Sequence, residues 1–227
     1  MSVIVSFENV HKTYMQGTIE VLALRGLNLQ INAGDFLAIS GPSGSGKTTA
    51  LNMVGALDIP TSGVVRLEGV DLASLSHRKR AHLRRDRIGF VFQAYNLLPV
   101  LTAYENAESV LALQGVDAKE RKKIVMDLFE EMGLGGLENR RPDQLSGGQQ
   151  QRVAIVRAIA SKPAVVLADE PTANVDSETS DTLLQMMLRL NEERGVTFVF
   201  STHDPKVMSY AKRNVRLVDG KVAEDSG

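Results

Sequence analysis

Alternating and continuous apolar positions divide much of the chain into predicted strands. Residues 3–10 and the stretch LNLQI at 27–31 alternate apolar with polar side chains, which predicts strands with one buried face. FLAIS at 36–40, AVVLA at 164–168 and VTFVFS at 196–201 are continuous or nearly continuous apolar runs. Runs of this length are typical of strands that are buried on both faces of a sheet. The pattern therefore predicts a protein with a buried central sheet.

Helical periodicity fills most of the remaining chain. TTALNMVGAL, which begins at Thr48, has helical spacing, and residues 104–115 and 119–134 place their apolar side chains on one helix face. Gly133, near the end of the latter stretch, is a suitable helix C-cap. Residues 177–195 form a further amphipathic pattern. Strands and helices together predict an α/β fold.

Two shorter patterns and the order of the elements complete the prediction of the fold. GVVRLEG at 63–69 predicts an edge strand, and NVRLVDGKV at 214–222 predicts a closing hairpin. The sequence contains no internal repeat or long linker, so we predict a single domain over all 227 residues. Within it, 1–87 and 161–227 form the core, and 88–160 form an inserted helical subdomain.

Composition narrows the class of protein. Hydrophobic residues make up 43% of the chain and charged residues 23%, which is ordinary for a folded globular protein. The 26 basic residues nearly balance the 27 acidic ones, and this argues against a protein that coats nucleic acid. The absence of cysteine excludes disulfides and thiolate chemistry and fits a reducing compartment. The N-terminal segment lacks a signal-peptide pattern, and the apolar runs are too short to span a membrane.

A phosphate-binding loop is the first chemical motif along the chain. GPSGSGKT matches G-x-x-x-x-G-K-[ST] at every defined position and lies between a buried strand and a helix. Glycines in such a loop let successive backbone N–H groups point at phosphate oxygens. Lys47 adds a positive charge to the same oxygens, and the Thr48 hydroxyl can ligate Mg²⁺. The predicted nucleoside triphosphate site comprises Gly41, Pro42, Ser43, Gly44, Ser45, Gly46, Lys47, Thr48 and Thr49.

Polar residues with hydrolytic chemistry follow three predicted strands. Asp169 and Glu170 end VVLADE, and ligands gather at the carboxyl ends of parallel strands. Asp169 suits the Mg²⁺ shell, and Glu170 can act as the general base that activates a water. His203 follows another strand and can hydrogen-bond a phosphate or that water. Gln93, after IGFVF, is a neutral group that could sense the metal or the water.

The stretch LSGGQ at 145–149 supports two interpretations. Ser146 and Gln149 have the spacing of an S-x-x-Q capping box, which starts a helix without any ligand. Two consecutive glycines are poor helix formers, and a capping box does not require them. They would be explained if another group approaches the backbone closely, as an anion does at a helix N-terminus. Because the chain already has one phosphate loop, the second cradle would serve a second ligand or a site shared with another chain.

The ordered set GPSGSGKT, VFQ, LSGGQ, VVLADE, NVD and STHD resembles the nucleotide-binding subunit of an ABC transporter. The resemblance covers essentially the whole chain. It implies a P-loop NTPase core of the RecA-like type, an N-terminal antiparallel β-subdomain and an inserted helical subdomain. VFQAYNLLPVLTAYEN and LSGGQQQRVAIVRA are most similar to the group for macrolide export, lipoprotein release and cell division.

The resemblance also implies a mechanism. Two copies pair head to tail, and each LSGGQ closes over the ATP held by the phosphate loop of the other copy. ATP and Mg²⁺ are the implied cofactors. Glu170 would be the catalytic base, His203 the switch, and Tyr14 the aromatic that stacks on adenine. The implied Mg²⁺ contacts are Thr48, Gln93 and Asp169, and the residues implied to act across the dimer are Ser146, Gly147, Gly148, Gln149 and Asp176.

The implied function is an ATPase subunit beneath an integral membrane permease, on the cytoplasmic face of the inner or plasma membrane. Export or lipoprotein release is the expected process, and no nucleic-acid partner is expected. A non-transport ABC ATPase that regulates cell-wall enzymes at division is the main alternative. A DNA-repair or translation ATPase of the same superfamily is a third, although such chains usually carry a long coiled-coil insertion that this sequence lacks.

Two surface features have several interpretations. HRKRAHLRRDR at 77–87 is favoured as a solvated helix face, with anionic lipid or nucleic acid as the other candidate contacts. LLPVL at 97–101 follows Gln93 closely, and by the family resemblance a coupling helix of the membrane subunit docks at this junction. An apolar surface there would be a partner site.

Overall fold

The computed structural model describes residues 2–227, and its elements follow one another in an α/β order. The strands are β1 (Val3–Gln16), β2 (Ile19–Asn32), β3 (Phe36–Ser40), β4 (Ser62–Leu67), β5 (Val70–Asp71), β6 (Ile88–Val91), β7 (Val165–Asp169), β8 (Phe198–Ser201), β9 (Arg213–Val218) and β10 (Lys221–Asp225). The helices are α1 (Lys47–Val54), α2 (His77–Arg87), α3 (Ala103–Leu113), α4 (Ala118–Glu131), α5 (Gly147–Ile159), α6 (Ser177–Arg194) and α7 (Pro205–Tyr210), with one 3-10 turn at Pro142–Gln144. Within residues 2–227, no helix combines the length and the apolar character needed to cross a bilayer.

The first sheet is antiparallel and has the order β2-β1-β4-β5. Strands β1 and β2 are much longer than the alternating segments predicted for them, because their pairing continues to Gln16 opposite Ile19. The turn between them contains Gly17 at a φ of 64°. The predicted edge strand at 63–69 is instead an internal strand, since β4 pairs with both β1 and β5. That prediction was wrong because β5, of two residues, carries too little pattern to be recognised.

The second sheet has the order β10-β9-β3-β8-β7-β6 and is parallel except for the closing hairpin of β9 and β10. Its central strands pack on both faces. Phe36 and Ala38 of β3 belong to a core shared with the helical segment, whereas Leu37 and Ile39 belong to a core shared with the first sheet and α1. Successive strand residues point to opposite faces, so burial of both faces explains the continuous apolar run.

The helical segment contains α3, α4 and α5, as predicted between about 102 and 160. Helix α4 ends at Glu131, and Gly133 follows with a φ of 60°, which suits a glycine just beyond a helix end. Strand β6, at the start of the range 88–160, pairs with β7 in the parallel sheet. The division of the chain into a core and a helical subdomain stays a prediction.

Candidate functional site

A cleft of about 690 Å³ opens at the carboxyl ends of β3, β7 and β8. This is the edge of a parallel sheet at which ligands usually bind. The predicted cis residues that line it are Tyr14, Gly41, Pro42, Ser43, Gly44, Gly46, Lys47, Thr48, Thr49, Gln93, Asp169, Glu170 and His203. Val21, Leu22, Ala23 and Ser201 also line it. The structure therefore brings together side chains from five separate motifs.

The phosphate loop connects β3 to the N-terminus of α1. Gly46, the N-cap of α1, has a φ of 101°, a conformation that favours glycine. Lys47 Nζ donates to the carbonyl oxygens of Gly41, at 2.8 Å, and Pro42, at 2.9 Å. These bonds hold the Lys47 ammonium against the backbone of the phosphate loop. Ser45 differs from its neighbours, because its side chain is buried and its hydroxyl has no hydrogen-bond partner among the described residues.

Glu170 is held at both carboxylate oxygens by the segment after β8. His203 Nδ1 lies 2.5 Å from Glu170 Oε1, and the His203 backbone N–H donates to the same oxygen at 3.1 Å. The Thr202 hydroxyl donates to Glu170 Oε2 at 2.9 Å. Glu170 itself adopts a φ of 44°, which is uncommon for a residue other than glycine. The predicted base and the predicted switch residue are thus in direct contact.

Asp169 precedes Glu170 and also lines the cleft. Burial raises the pKa of the Asp169 carboxyl, and the neighbouring Glu170 carboxylate raises it further. Hydrogen bonding with Ser201 and the charge of Lys47 act in the opposite direction. A half-buried carboxyl with a raised pKa is suited to bind a cation, since a positive ion would stabilise its charged form.

Tyr14 is fixed by a clamp that the sequence did not reveal. Its hydroxyl donates to Asp58 Oδ2 at 2.6 Å, and Lys12 Nζ donates to Asp58 Oδ1 at 2.6 Å. Lys12 Nζ also lies 4.8 Å from the centroid of the Tyr14 ring, so the ammonium covers one ring face. Burial and the Asp58 hydrogen bond raise the pKa of Tyr14 to about 12, so the phenol stays protonated.

Asp58 lies beyond the C-terminus of α1, 44 residues from Tyr14 in sequence. Burial alone would raise the pKa of Asp58, but hydrogen bonds from Lys12 and Tyr14 outweigh it and hold that pKa below its usual value. The carboxylate is therefore charged when it clamps the ring. Nothing in the local sequence pattern marks Asp58, because its partners, Lys12 and Tyr14, lie in β1, far from it in sequence.

The LSGGQ segment forms the capping box that its spacing predicts. Ser146 is the N-cap of α5, and its hydroxyl accepts from the Gln149 backbone N–H at 3.3 Å. Gln149 Oε1 accepts from the Ser146 N–H at 2.9 Å. The residues of LSGGQ and Asp176 are not among the described residues that line the cleft of the phosphate loop. Asp176 is the N-cap of α6 and accepts from the Thr179 N–H at 2.9 Å.

The two glycines of LSGGQ pack closely against side chains of the same chain. A Cβ on Gly147 would lie 2.7 Å from Tyr95 Oη, and a Cβ on Gly148 would lie 2.4 Å from Thr179 Cγ2. Both distances are shorter than side-chain atoms tolerate. The double glycine, which the sequence indicates as a place where a ligand approaches the backbone, is thus also closely packed within its own chain. It does not by itself indicate a second chain.

The residues predicted for Mg²⁺ are compatible with that ion. Thr48, Gln93 and Asp169 all line the cleft and all offer oxygen donors, the ligand type that Mg²⁺ prefers. The described part of the chain contains no group of three His, Asp or Glu side chains that could hold a metal without other ligands. This fits an ion bound through one carboxylate, a hydroxyl and substrate phosphates rather than a cage of protein ligands.

Comparisons with known proteins agree with the motifs. A model of the ABC transporter family matches residues 24–173. The macrolide export ATP-binding/permease protein MacB of Syntrophobacter fumaroxidans is 47% identical over 226 residues, which are 99% of this chain and 32% of that protein. The chain thus spans about a third of the length of this relative. The lipoprotein-releasing system ATP-binding protein LolD of Anaeromyxobacter dehalogenans is 45% identical over 222 residues, covering 97% of this chain and 93% of that protein.

The fold also matches a solved cassette. The dimeric post-hydrolysis structure of the ATP-binding cassette MJ0796, bound to ADP and Pi, superposes with a TM-score of 0.89 and 44% identity over 98% of both chains. MJ0796 comes from Methanocaldococcus jannaschii. An antiparallel sheet, a parallel sheet with a phosphate loop and a helical segment between its strands are the shared architecture.

Proposed function

The chain belongs to the ABC transporter family and is an ATPase of the group that includes the macrolide-export and lipoprotein-releasing proteins, and on this premise we propose that two copies of it form the ATP-driven unit beneath a membrane permease. The observation that carries the ATPase part of the proposal is the cleft that the phosphate loop shares with Asp169, Glu170 and His203. Export or lipoprotein release is favoured over the non-transport alternative by the named relatives.

We assign the steps of hydrolysis to residues of this cleft. The phosphate loop and Lys47 bind the triphosphate, and the Tyr14 ring stacks on the base through the face that Lys12 leaves free. Glu170 accepts the proton of the attacking water, and His203 holds Glu170 in position. Thr48, Gln93 and Asp169 would hold Mg²⁺, which would neutralise charge on the phosphate oxygens.

The second half of the site comes from another copy of the chain in this proposal. Ser146, Gly148 and Gln149 at the N-terminus of α5 would meet the γ-phosphate held by the partner subunit, and Asp176 would link the two sites. Two observations support this arrangement. LSGGQ lies outside the cleft of its own chain, and MJ0796, which is 44% identical, forms a dimer.

A groove beside Gln93 is the proposed docking site for the permease. It has a volume of about 300 Å³ and is lined by Phe90, Phe92 and Leu113 together with Arg84 and Arg85. A lining of apolar side chains together with arginines is typical of protein interfaces.

The loop beyond Gln93 adds further apolar surface. Leu98 and Val100 of LLPVL are 53% and 73% exposed. These exposed apolar side chains follow Asn96, which lines the groove, and they support a partner site at this junction, on the cytoplasmic face of the membrane.

Glu170→Gln tests the ATPase and dimer assignments together. We expect hydrolysis to fall by roughly 10²–10⁴-fold, because a general base contributes about that factor. ATP binding should persist, and light scattering should detect a stable dimer with ATP and a monomer without it. Glu193→Gln, an exposed carboxyl on α6, is the control and should hydrolyse normally. A monomeric Glu170→Gln variant with wild-type turnover would contradict the proposal.

The membrane partner is tested by co-purification. Tagged wild-type chain should retain a polytopic membrane protein after detergent extraction, and Val100→Asp together with Leu113→Asp should lose it. ATP hydrolysis by the isolated variant should be unchanged, since neither side chain lines the cleft. Equal recovery of the membrane protein with wild type and variant would rule out this groove.

A further inference from the structure

The backbone beyond Gln93 adopts an unusual conformation. Tyr95 and Asn96 both have left-handed backbone angles, with φ of 59° and 50°. Consecutive residues other than glycine rarely occupy this region, and each costs free energy unless neighbours hold it in place. Arg157 of α5 does so: Nη2 donates to the Tyr95 carbonyl at 2.9 Å and Nη1 to the Asn96 carbonyl at 2.6 Å. The segment is therefore pinned to the helix that begins at LSGGQ.

The Tyr95 side chain makes a second connection. Its hydroxyl donates to the Asn174 carbonyl at 2.9 Å, and Asn174 Nδ2 donates to the Gln93 carbonyl at 2.9 Å. The two bonds close a ring between the segment 93–95 and the loop that leads to Asp176. Burial raises the pKa of the Tyr95 phenol, which keeps the donor protonated.

The same hydroxyl touches the first residue of α5. A Cβ on Gly147 would lie 2.7 Å from Tyr95 Oη and 3.5 Å from the Asn174 carbonyl oxygen. One phenolic oxygen thus meets three segments: the one after Gln93, the start of α5 and the loop before Asp176. Only glycine at position 147 leaves room for it.

We propose that Tyr95 is a positioning residue that sets the mutual placement of Gln93, the LSGGQ helix start and the loop carrying Asp176. The inference rests on the proposed function, which assigns those three segments to ATP. Tyr95 is not among the described residues that line the cleft, so its effect should reach the reaction through the segments it holds. Loss of the hydroxyl should therefore lower kcat and leave the KM for ATP unchanged.

The first experiment removes the hydroxyl alone. We expect Tyr95→Phe to lower kcat for ATP by about tenfold, since small misplacements of reacting groups cost rates of this order or more. The matched control is Tyr104→Phe, which also loses one phenolic hydrogen bond, to Glu108 at 3.0 Å on α3. Similar thermal unfolding of the two variants with different kcat supports positioning. An unchanged kcat for Tyr95→Phe, or an equal fall in both variants, overturns it.

The second experiment uses the steric relation to Gly147. Gly147→Ala alone should lose most activity, because the new methyl would collide with Tyr95 Oη. Adding Tyr95→Phe removes that collision and leaves only neighbours at 3.5 Å or more, an ordinary contact distance. The double variant should therefore regain a measurable part of the activity that Gly147→Ala loses. Gly148→Ala is the control, because its methyl would meet Thr179 and Tyr95→Phe should not rescue it.

The outcomes separate this inference from the proposed function. If the wild-type chain hydrolyses ATP but Gly147→Ala keeps full activity, or its loss is not relieved by Tyr95→Phe, the Tyr95 assignment is wrong and the proposed function stands. If the wild-type chain fails to hydrolyse ATP, the proposed function itself fails. Non-additivity of this kind is expected for residues in contact and not for distant, independent sites.

Discussion

The phosphate loop and the LSGGQ segment are both glycine-rich stretches at the N-terminus of a helix, yet they differ in what surrounds them. The glycines of the phosphate loop border an open cleft together with Lys47, Asp169 and Glu170. Those of LSGGQ face Tyr95 and Thr179 of their own chain, and the capping box there is fully formed. The same local chemistry can therefore serve a ligand or the internal packing, and only the surroundings distinguish the two.

The phosphate loop and LSGGQ act on nucleotides held by different chains in our proposal. The phosphate loop has a cation, metal-type donors and a clamped aromatic ring within one chain, so nucleotide binding needs no second copy. LSGGQ offers a helix N-terminus that lies outside that cleft, so in our proposal it acts only on the nucleotide of a partner. In this proposal ATP binding requires one chain, whereas ATP hydrolysis requires two.

Of the two glycine-rich regions, LSGGQ should affect ATP turnover more strongly when it is changed. Ser146→Arg should lower ATP turnover by about 10²-fold or more, since losing one donor to a transition-state oxygen costs about that factor. The affinity of each monomer for ATP should remain unchanged. Ser76→Arg is the control, because Ser76 is also a helix N-cap and its hydroxyl accepts from the Lys79 N–H of α2. A fall in monomer ATP affinity for Ser146→Arg would break the contrast between the two regions.

Changing the phosphate loop should instead lower the affinity of the monomer for ATP. Lys47→Ala should weaken ATP binding by roughly 10- to 100-fold, since hydrogen bonds to charged groups contribute about 1.5–3 kcal/mol. Isothermal titration with the monomer measures this directly. Lys123→Ala, which removes an exposed ammonium from α4, should bind ATP normally. Unchanged affinity in Lys47→Ala would exclude the loop as the phosphate site.

A smaller effect is expected when the clamp on the Tyr14 ring is weakened. Asp58→Asn removes the charge that Lys12 and Tyr14 share, so the ring should lose its fixed orientation. We expect ATP affinity to fall by about three- to tenfold, within the range of one lost aromatic contact or charged hydrogen bond.

Inorganic triphosphate provides the internal control for the clamp because it has no base. Its affinity should be the same in Asp58→Asn and wild type. Glu68→Gln, which loses a comparable bond from Arg87 outside the cleft, should bind ATP as wild type does. Equal weakening of ATP and triphosphate would indicate general damage to the loop and would contradict a role through the base.

Much of this molecule could be predicted from sequence because its signals are local. Continuous apolar runs marked β3, β7 and β8, and the motif spacing placed Lys47, Asp169 and Glu170 at one sheet edge. The run at 77–87 forms helix α2, in which no residue is buried, although Leu83 packs against the core below the first sheet. Each of these rests on the period of a single element or on a contiguous motif.

What could not be predicted depends on contacts between distant segments. Asp58 joins Tyr14 across 44 residues, and Tyr95 reaches Asn174 across 79. Neither residue stands in a periodic pattern. The close packing of the double glycine was missed for the same reason, since Tyr95 lies about fifty residues before LSGGQ in the sequence. One sequence gives no access to pairs of this kind.

The most direct test of the shared site mixes two impaired variants at an ATP concentration too low for Lys47→Ala to bind. Lys47→Ala keeps a working LSGGQ, and Ser146→Arg keeps a working phosphate loop, so each mixed dimer contains one intact site. Random pairing of equal amounts makes half of the dimers mixed, and roughly a quarter of the wild-type ATPase rate should return. Ser146→Arg mixed with a chain carrying both changes has no intact site and should stay inactive. Recovery of activity on mixing is the result that we predict. If the mixture of single variants stays as inactive as its parts, each chain must complete its own site, and the account of a site built from two copies is wrong.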